Sequence, residues 1–221
     1  MDQDLLSIQE ARELTTRAFE AWKVWAKASQ EQVDRVCAAM AEAAFNASER
    51  LGQLAQEETG YGVAAHKRLK NEFAARNVWE SIKDIKTTGV IRHDTEKKIY
   101  EIAWPMGVVA ALTPSTNPTS TVIYKVLSAV KARDAIIIAP HPSAAKCSQE
   151  AVALMARVAE ENGAPKGLIA CMRNISLQGT NELMTHKYTA LILATGGTPM
   201  VRAAHSTGKP AYGVGPGNVP V

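Results

Sequence analysis

The placement of proline constrains this chain more than any other feature. None of its ten prolines falls in residues 1–104, and all lie between Pro105 and Pro220. Glycine divides the same way, with four in residues 1–100 and ten beyond. Proline removes a backbone donor and collides with the preceding helical turn, while glycine serves turns. The front of the chain is therefore expected to be helical and the back to alternate short elements with turns. A length of 221 residues suffices for one large domain, or a domain with appendages.

Composition closes several routes. Apolar types make up 46% and charged types 21%, which excludes a disordered or collagen-like chain. With 25 basic and 22 acidic residues the net charge is +3, too balanced to make nucleic acid or an anionic membrane the main partner. The longest apolar runs, such as Gly107 to Leu112 and Ala135 to Ala139, fall far short of the roughly 20 residues of a spanning helix. Met1-Asp2-Gln3-Asp4 is acidic where a signal peptide would be basic. Cys37, Cys147 and Cys171 are odd in number and show no Cys-x-x-Cys spacing, so neither a disulfide framework nor a metal site is expected. The expectation is a soluble, cytoplasmic protein. Its basic excess lies in the back half, which is mildly consistent with a phosphate-bearing ligand.

The front reads as three helices. The first spans about Leu5 to Lys27, with Leu14, Ala18, Ala21 and Trp25 on one stripe. Ser29 and Gln32 stand at capping-box spacing and open a second helix striped by Val33, Val36, Cys37, Met40 and Ala44. That helix is expected to stop at Gly60-Tyr61-Gly62. A third carries Leu69, Phe73, Val78, Ile82 and Ile85. From Gly89 to Trp104 the pattern changes to alternation around the polar tip His93 to Lys98, which reads as a β-ribbon. Such a ribbon is marginal alone and should lean on its own domain or on another subunit.

Beyond it, strands are expected over Gly107–Leu112, Ala135–Ala139, Leu168–Met172, Thr189–Ala194 and Pro210–Val214. Helices are expected over Pro118–Lys131, Ala144–Asn162, Ser176–His186 and Thr198–Ser206. Continuous apolar strands alternating with helices imply a Rossmann-like parallel sheet with helices on both faces. The fold class is thus α/β: a helical segment over 1–88, a ribbon over 89–104, and an α/β domain over 105–221. Ligands in such sheets sit at the carboxyl ends of the strands.

The strand ends carry distinctive residues. The first is followed by Thr113-Pro114-Ser115-Thr116-Asn117-Pro118, the second by His141-Pro142, and the fourth by Thr195-Gly196-Gly197 opening a helix. Amides and dipole at that helix start could take a pyrophosphate, although a tight turn alone would also need glycine. Asn117 before proline could simply cap its helix. Gly213 and Gly215 do not complete G-x-G-x-x-G, and no P-loop is present. No acidic residue follows the second strand to hold an adenosine ribose. Cys37 and Cys171 read as core, and Cys147 lacks a basic partner at fixed spacing beyond Lys146.

In order, Pro105-Met106-Gly107-Val108-Val109, Thr113 through Thr121, Ala139-Pro140-His141-Pro142, Ala194 through Gly197, Gly208-Lys209-Pro210 and Gly213 through Asn218 closely resemble the CoA-acylating aldehyde dehydrogenases. The resemblance covers essentially the whole chain, including Glu58-Thr59-Gly60 in the helical front. It implies that Asn117 donates to the oxyanion formed when a cysteine thiolate attacks an aldehyde. It also implies cofactor contacts: Thr195, Gly196 and Gly197 at the pyrophosphate, His141 and Pro142 beside the adenosine, Ser115 and Thr116 towards the nicotinamide, and Thr113 and Pro114 within the same set. Gly213 and Gly215 would belong to the same cofactor-binding set.

Two departures carry meaning. Hydrolytic aldehyde dehydrogenases hold a glutamate where this chain has Gly213. Without that base, a CoA thiol is a better acyl acceptor than water. None of the three cysteines matches the family's nucleophile, so the chain resembles the front part of an enzyme whose catalytic domain lies elsewhere. The implied activity is oxidation of a small aldehyde to an acyl-CoA with NAD or NADP, by a homo-oligomer joined through the 89–104 ribbon. The alternatives are a hydrolytic enzyme giving a free acid, or a non-catalytic nucleotide-binding or assembly module. Acetaldehyde, propionaldehyde and sulfoacetaldehyde all stay open as substrates.

Overall fold

In the computed structural model, which describes residues 2–215 and Gly217, the front is helical throughout. Helix α1 spans Gln3–Trp25 and buries Leu14, Ala18, Ala21 and Trp25, as its stripe requires. Helix α2 spans Gln30–Asn46 and starts at a complete capping box between Ser29 and Gln32. The expected second helix is in fact two, because the chain bends at Ala47 and α3 runs Ser48–Thr59 to the left-handed Gly60. No proline or glycine marks that bend. Packing does: α2 lies against α6 (Pro118–Lys131) and α7 (Ala145–Glu161), whereas α3 lies mainly against α4 (Ala64–Glu72).

The third helix departs furthest from expectation. It passes through a π-helical stretch, Phe73–Asn77, into α5 (Val78–Ile82). Leu69, Phe73 and Ile85 are more than half exposed. The face that packs carries Lys67, Asn71, Ala74 and Ala75 instead. Leu69 lies before the π-helical stretch and Phe73 at its start, so the stripe fails because the packed face is polar and small rather than apolar.

Strands β1 (Gly89–Asp94) and β2 (Ile99–Ala103) form the antiparallel ribbon, bulged between Val90 and Arg92. Tyr100, Ile102 and Trp104 on it are largely exposed. Its foot is fixed by Arg133, a residue at φ 65° whose guanidinium donates to the carbonyls of Ala26, Ala103 and Thr87 at 2.7, 3.0 and 3.2 Å.

The remainder is a five-stranded parallel sheet, in the order β5-β4-β3-β6-β7. Its strands are β3 (Val108–Thr113), β4 (Ala135–Pro140), β5 (Ile169–Cys171), β6 (Thr189–Thr195) and β7 (Ala211–Val214). Between them run α6, α7, α8 (Leu177–Thr185) and α9 (Thr198–His205). Side chains alternate across a strand, so the burial of every residue of β3 and β4 means that both faces of the sheet are covered. The front helices share this core. Ala11, Leu14, Trp25, Val33 and Met40 belong to one buried cluster with the central strands. The order of strands reverses at β3, between β4 and β6, which is where an open α/β sheet leaves a crevice. Of the late glycine motif, Pro216 and Asn218 lie outside the described residues.

Candidate functional site

The crevice is present at that reversal point. Its volume is about 250 Å³, and its walls include Thr113 and Pro114 after β3, His141 and Pro142 after β4, and Thr195, Gly196 and Gly197 after β6. Three separate strand-end motifs therefore meet in one hollow. The remaining wall comes from Ile175, Ser176, Leu177 and Thr180 around the start of α8, and from Met200 on α9. Sequence reasoning missed these, although the strand-end rule applied to β5 as much as to its neighbours.

Not every expected residue lies there. Ser115, Thr116 and Asn117 continue the β3 loop away from the crevice wall, towards α4. Asn117 does not cap α6 with its side chain. Its Oδ1 accepts from Lys70 Nζ at 2.8 Å, and among the described residues its Nδ2 has only Thr116 Oγ1 at 3.5 Å. Lys67, one turn earlier, is buried and donates to the Thr116 carbonyl at 2.9 Å. Burial first, and then Lys70 beside it, pull the Lys67 pKa below that of an ordinary lysine. Neither lysine carries a readable sequence signal, since both act through tertiary contact.

Gly213 and Gly215 also stand apart from the crevice. Gly213 pairs with Ala194 in the sheet, beneath α9, and a Cβ there would come within 2.5 Å of Val201 Cγ1 and 2.8 Å of His205 Nε2. A side chain at 213 would therefore have to displace the Val201 and His205 side chains. Gly215 follows β7 and is exposed.

The paired glycines differ in kind. Neither Gly196 nor Gly197 has a positive φ, and a Cβ on either would meet only ordinary contacts at 3.7 Å. Nothing in the protein's own packing requires them to be bare. Small residues that the fold does not demand, at a helix start facing a hollow, suit a ligand that must approach the backbone closely. The amide of Gly196 is already committed to the Val214 carbonyl at 3.1 Å, so α9's start at Gly197 and Thr198 is the anion-facing end. Thr113 Oγ1, also on the wall, is buried without a hydrogen-bond partner among the described residues. That orphaned hydroxyl and the bare glycines fit a polar ligand such as a dinucleotide.

Beneath the crevice, Lys125 of α6 reaches the sheet. Its amine, 2% exposed, donates to the carbonyls of Leu112 on β3 and Leu193 on β6, each at 2.7 Å. Burial lowers its pKa to about 7. The adjacent Tyr124 hydroxyl lies 3.4 Å from Thr195 Oγ1.

Burial disfavours the thiolate form of all three cysteines. Cys37 and Cys147 are fully buried, and burial pushes both thiols up to about 12; Cys171 is raised by the same cause. Glu58 accepts from the amides of Lys146 and Cys147 at 2.9 and 2.7 Å, capping α7 and raising the Cys147 thiol further. Among the described residues no cluster of metal-ligating side chains occurs, and no helix is long and apolar enough to cross a membrane.

A doubly wound sheet with a crevice at its reversal point, walled by three strand-end loops and a bare helix start, defines the open-sheet α/β class. Within it the chain belongs to the aldehyde dehydrogenase family, whose model matches residues 4–212. It is 42% identical over 215 residues to the bifunctional aldehyde-alcohol dehydrogenase of Escherichia coli K12, covering 97% of this chain and 24% of that one. The crystal structure of an acetylating aldehyde dehydrogenase from Geobacillus thermoglucosidasius superposes with a TM-score of 0.97 at 56% identity, over 99% of this chain and 48% of that one. An engineered glycolyl-CoA reductase with bound NADP⁺ gives 0.80 at 28% identity, over 94% and 47%. The chain thus spans about half the length of the solved relatives it matches and a quarter of the E. coli enzyme.

Proposed function

We propose that the protein carrying this chain oxidises a small aldehyde to an acyl-CoA with NAD or NADP, and that this segment supplies the cofactor-binding part. The observation that carries the reading is the single crevice shared by Thr113, Pro114, His141, Pro142, Thr195, Gly196 and Gly197. In this reading the start of α9 faces the pyrophosphate, His141 and Pro142 flank the adenosine, Thr113 and Pro114 line the cofactor crevice, and Ser115 and Thr116 approach the nicotinamide side. The bound dinucleotide supplies a hydride acceptor.

The chemistry balances as aldehyde plus CoA thiol plus oxidised cofactor giving acyl-CoA, reduced cofactor and one proton. A cysteine thiolate, contributed from outside the three cysteines of this chain, adds to the aldehyde carbon. The carbonyl oxygen becomes an oxyanion, and Asn117 donates to it. Loss of hydride from that carbon leaves a thioester on the cysteine, and the CoA thiol then takes the acyl group and releases the thiolate. Gly213 favours CoA over water as acceptor, because a glycine supplies no general base at that position. The exposed apolar ribbon, with Tyr100, Ile102 and Trp104, supports assembly into a homo-oligomer. The absence of a long apolar helix among the described residues and the near-balanced charge accord with a cytoplasmic enzyme.

Calorimetric titration with NAD⁺, NADP⁺ and CoA tests the binding role, and CoA-dependence of NAD(P)H formation by the protein expressed from its complete reading frame tests the reaction. Binding of a dinucleotide and strict CoA-dependence are expected. Absence of all binding would make the segment an assembly module, and turnover without CoA would make the enzyme hydrolytic.

A further inference from the structure

Two side chains of one short helix reach the loop that carries Asn117, and a third holds the start of α6 just beyond it. Lys67 Nζ donates to the Thr116 carbonyl at 2.9 Å, and Lys70 Nζ donates to Asn117 Oδ1 at 2.8 Å. Asn71, fully buried, donates to the Ser48 carbonyl at 3.0 Å and accepts from Thr119 Oγ1 at 2.8 Å. Positions 67, 70 and 71 lie on one face of a helix, at the i, i+3 and i+4 spacing. This is the face that the apolar stripe of the sequence did not anticipate.

We infer that Lys70 is a positioning residue for the oxyanion donor: by engaging Asn117 Oδ1 it fixes the side-chain amide so that Nδ2 points outward as a hydrogen-bond donor. The inference rests on the reading of Asn117 given above. An ammonium has donors only, so the amide atom facing it must be the oxygen. The opposite end of the same amide then necessarily presents its N–H groups. Nδ2 keeps a single long contact to Thr116 Oγ1, so it is available for a stronger partner. A charge-assisted bond at the oxygen also polarises the amide, and so strengthens its N–H donors. Without Lys70 the amide can rotate by half a turn at little cost, which presents an oxygen lone pair to a developing negative charge. Lys67 holds the Thr116 backbone and Asn71 holds the Thr119 side chain in the first turn of α6, so the loop stays in place while the amide alone is set by Lys70.

The test uses the protein expressed from its complete reading frame, with Asn117→Ala, Lys70→Met, Lys70→Arg and the double variant Asn117→Ala/Lys70→Met. Lys70 is exposed, so its replacement leaves the core intact. Removal of an oxyanion donor costs about a hundredfold or more in kcat, and loss of its orientation is expected to cost about tenfold of that. Lys70→Met should therefore lower kcat about tenfold while the aldehyde KM and the Kd for the dinucleotide change less than about twofold. Lys70→Arg, which also has donors only, should restore most of the rate. In the Asn117→Ala background Lys70→Met should cost nothing further. The Asn117 side-chain amide NMR resonances, assigned through Asn117→Ala, should move in Lys70→Met and hold in Lys70→Arg. An Asn117→Ala effect without a Lys70→Met effect overturns this inference alone. Full turnover in Asn117→Ala overturns the oxyanion reading itself. A Lys70→Met loss that persists undiminished without Asn117 shows that Lys70 acts elsewhere.

Discussion

Lys125 gives the sharpest test of how this fold holds its crevice together. Its amine is 2% exposed, is pushed down to about 7 by burial alone, and bridges Leu112 and Leu193, the residues just inside the crevice-forming ends of β3 and β6. A neutral amine has two N–H groups, enough for both carbonyls, so deprotonation keeps the strap. The folded pKa lies below the unfolded value of 10.5. Between these two values the unfolded chain holds a proton that the folded chain lacks, so stability rises with pH across the window. Each pH unit contributes about 1.4 kcal/mol, and the whole interval about 5 kcal/mol as an upper bound. Above about 9 the raised thiols of Cys37 and Cys147 act the other way, because the folded state then retains protons that the unfolded state releases. The clean interval is therefore about pH 7 to 8.5, over which Lys125 should add about 2 kcal/mol. Urea unfolding of wild type and Lys125→Met at several pH values across that interval measures it. The readout is the difference in slope, which is independent of what the variant loses in hydrogen bonds or gains in apolar burial. Parallel pH dependences would refute the reasoning, since the amine would then carry the same charge in both states.

Other substitutions separate binding from folding. Gly196→Asp has room for its side chain, so unfolding should be unchanged, while a carboxylate beside the pyrophosphate weakens dinucleotide binding by about tenfold or more in calorimetry. Gly213→Glu should not install hydrolysis. It should destabilise the chain by about 1–3 kcal/mol in urea titration, because Val201 and His205 occupy the space, and a gain of CoA-independent turnover would contradict this. Asp134, which accepts from the Gly107 amide at 2.8 Å, is raised to about 6 chiefly by burial. Its folded pKa exceeds its unfolded one, so its charge costs stability that is recovered as pH falls from about 6 to 4. Asp134→Asn should abolish that component, worth up to about 3 kcal/mol, in paired unfolding measurements at the two ends of the window.

The fold was legible where local chemistry and tertiary packing agree. The proline boundary separated helices from sheet, the capping box opened α2 where Ser29 and Gln32 placed it, and α6 matched its expected span, Pro118–Lys131. Buried parallel strands announce themselves as continuous apolar runs, and β3, β4 and β6 fell within one residue of expectation. Three of the strand-end motifs could be seen in advance to converge, because a parallel sheet puts all its carboxyl ends on one side. The bend at Ala47 and the face of α4 were not legible, and for one reason. Apolar periodicity identifies a packed face only where the packing is apolar, and α4 packs through Lys67, Asn71 and small alanines while Leu69 and Phe73 stay exposed.

That exception bears on the site. A helix that turns polar groups inward must have acceptors waiting for them, since a buried amine or amide without a partner is costly. The acceptors here are the Thr116 carbonyl, the Asn117 side chain and the Ser48 carbonyl, and Thr119 donates in return. The region that defeats the hydrophobic pattern is thus the region that holds the Asn117 loop. Conflict between local pattern and global fold is expected where function constrains a sequence. In this chain that conflict points to α4, a helix with no motif of its own, as part of the proposed oxyanion site.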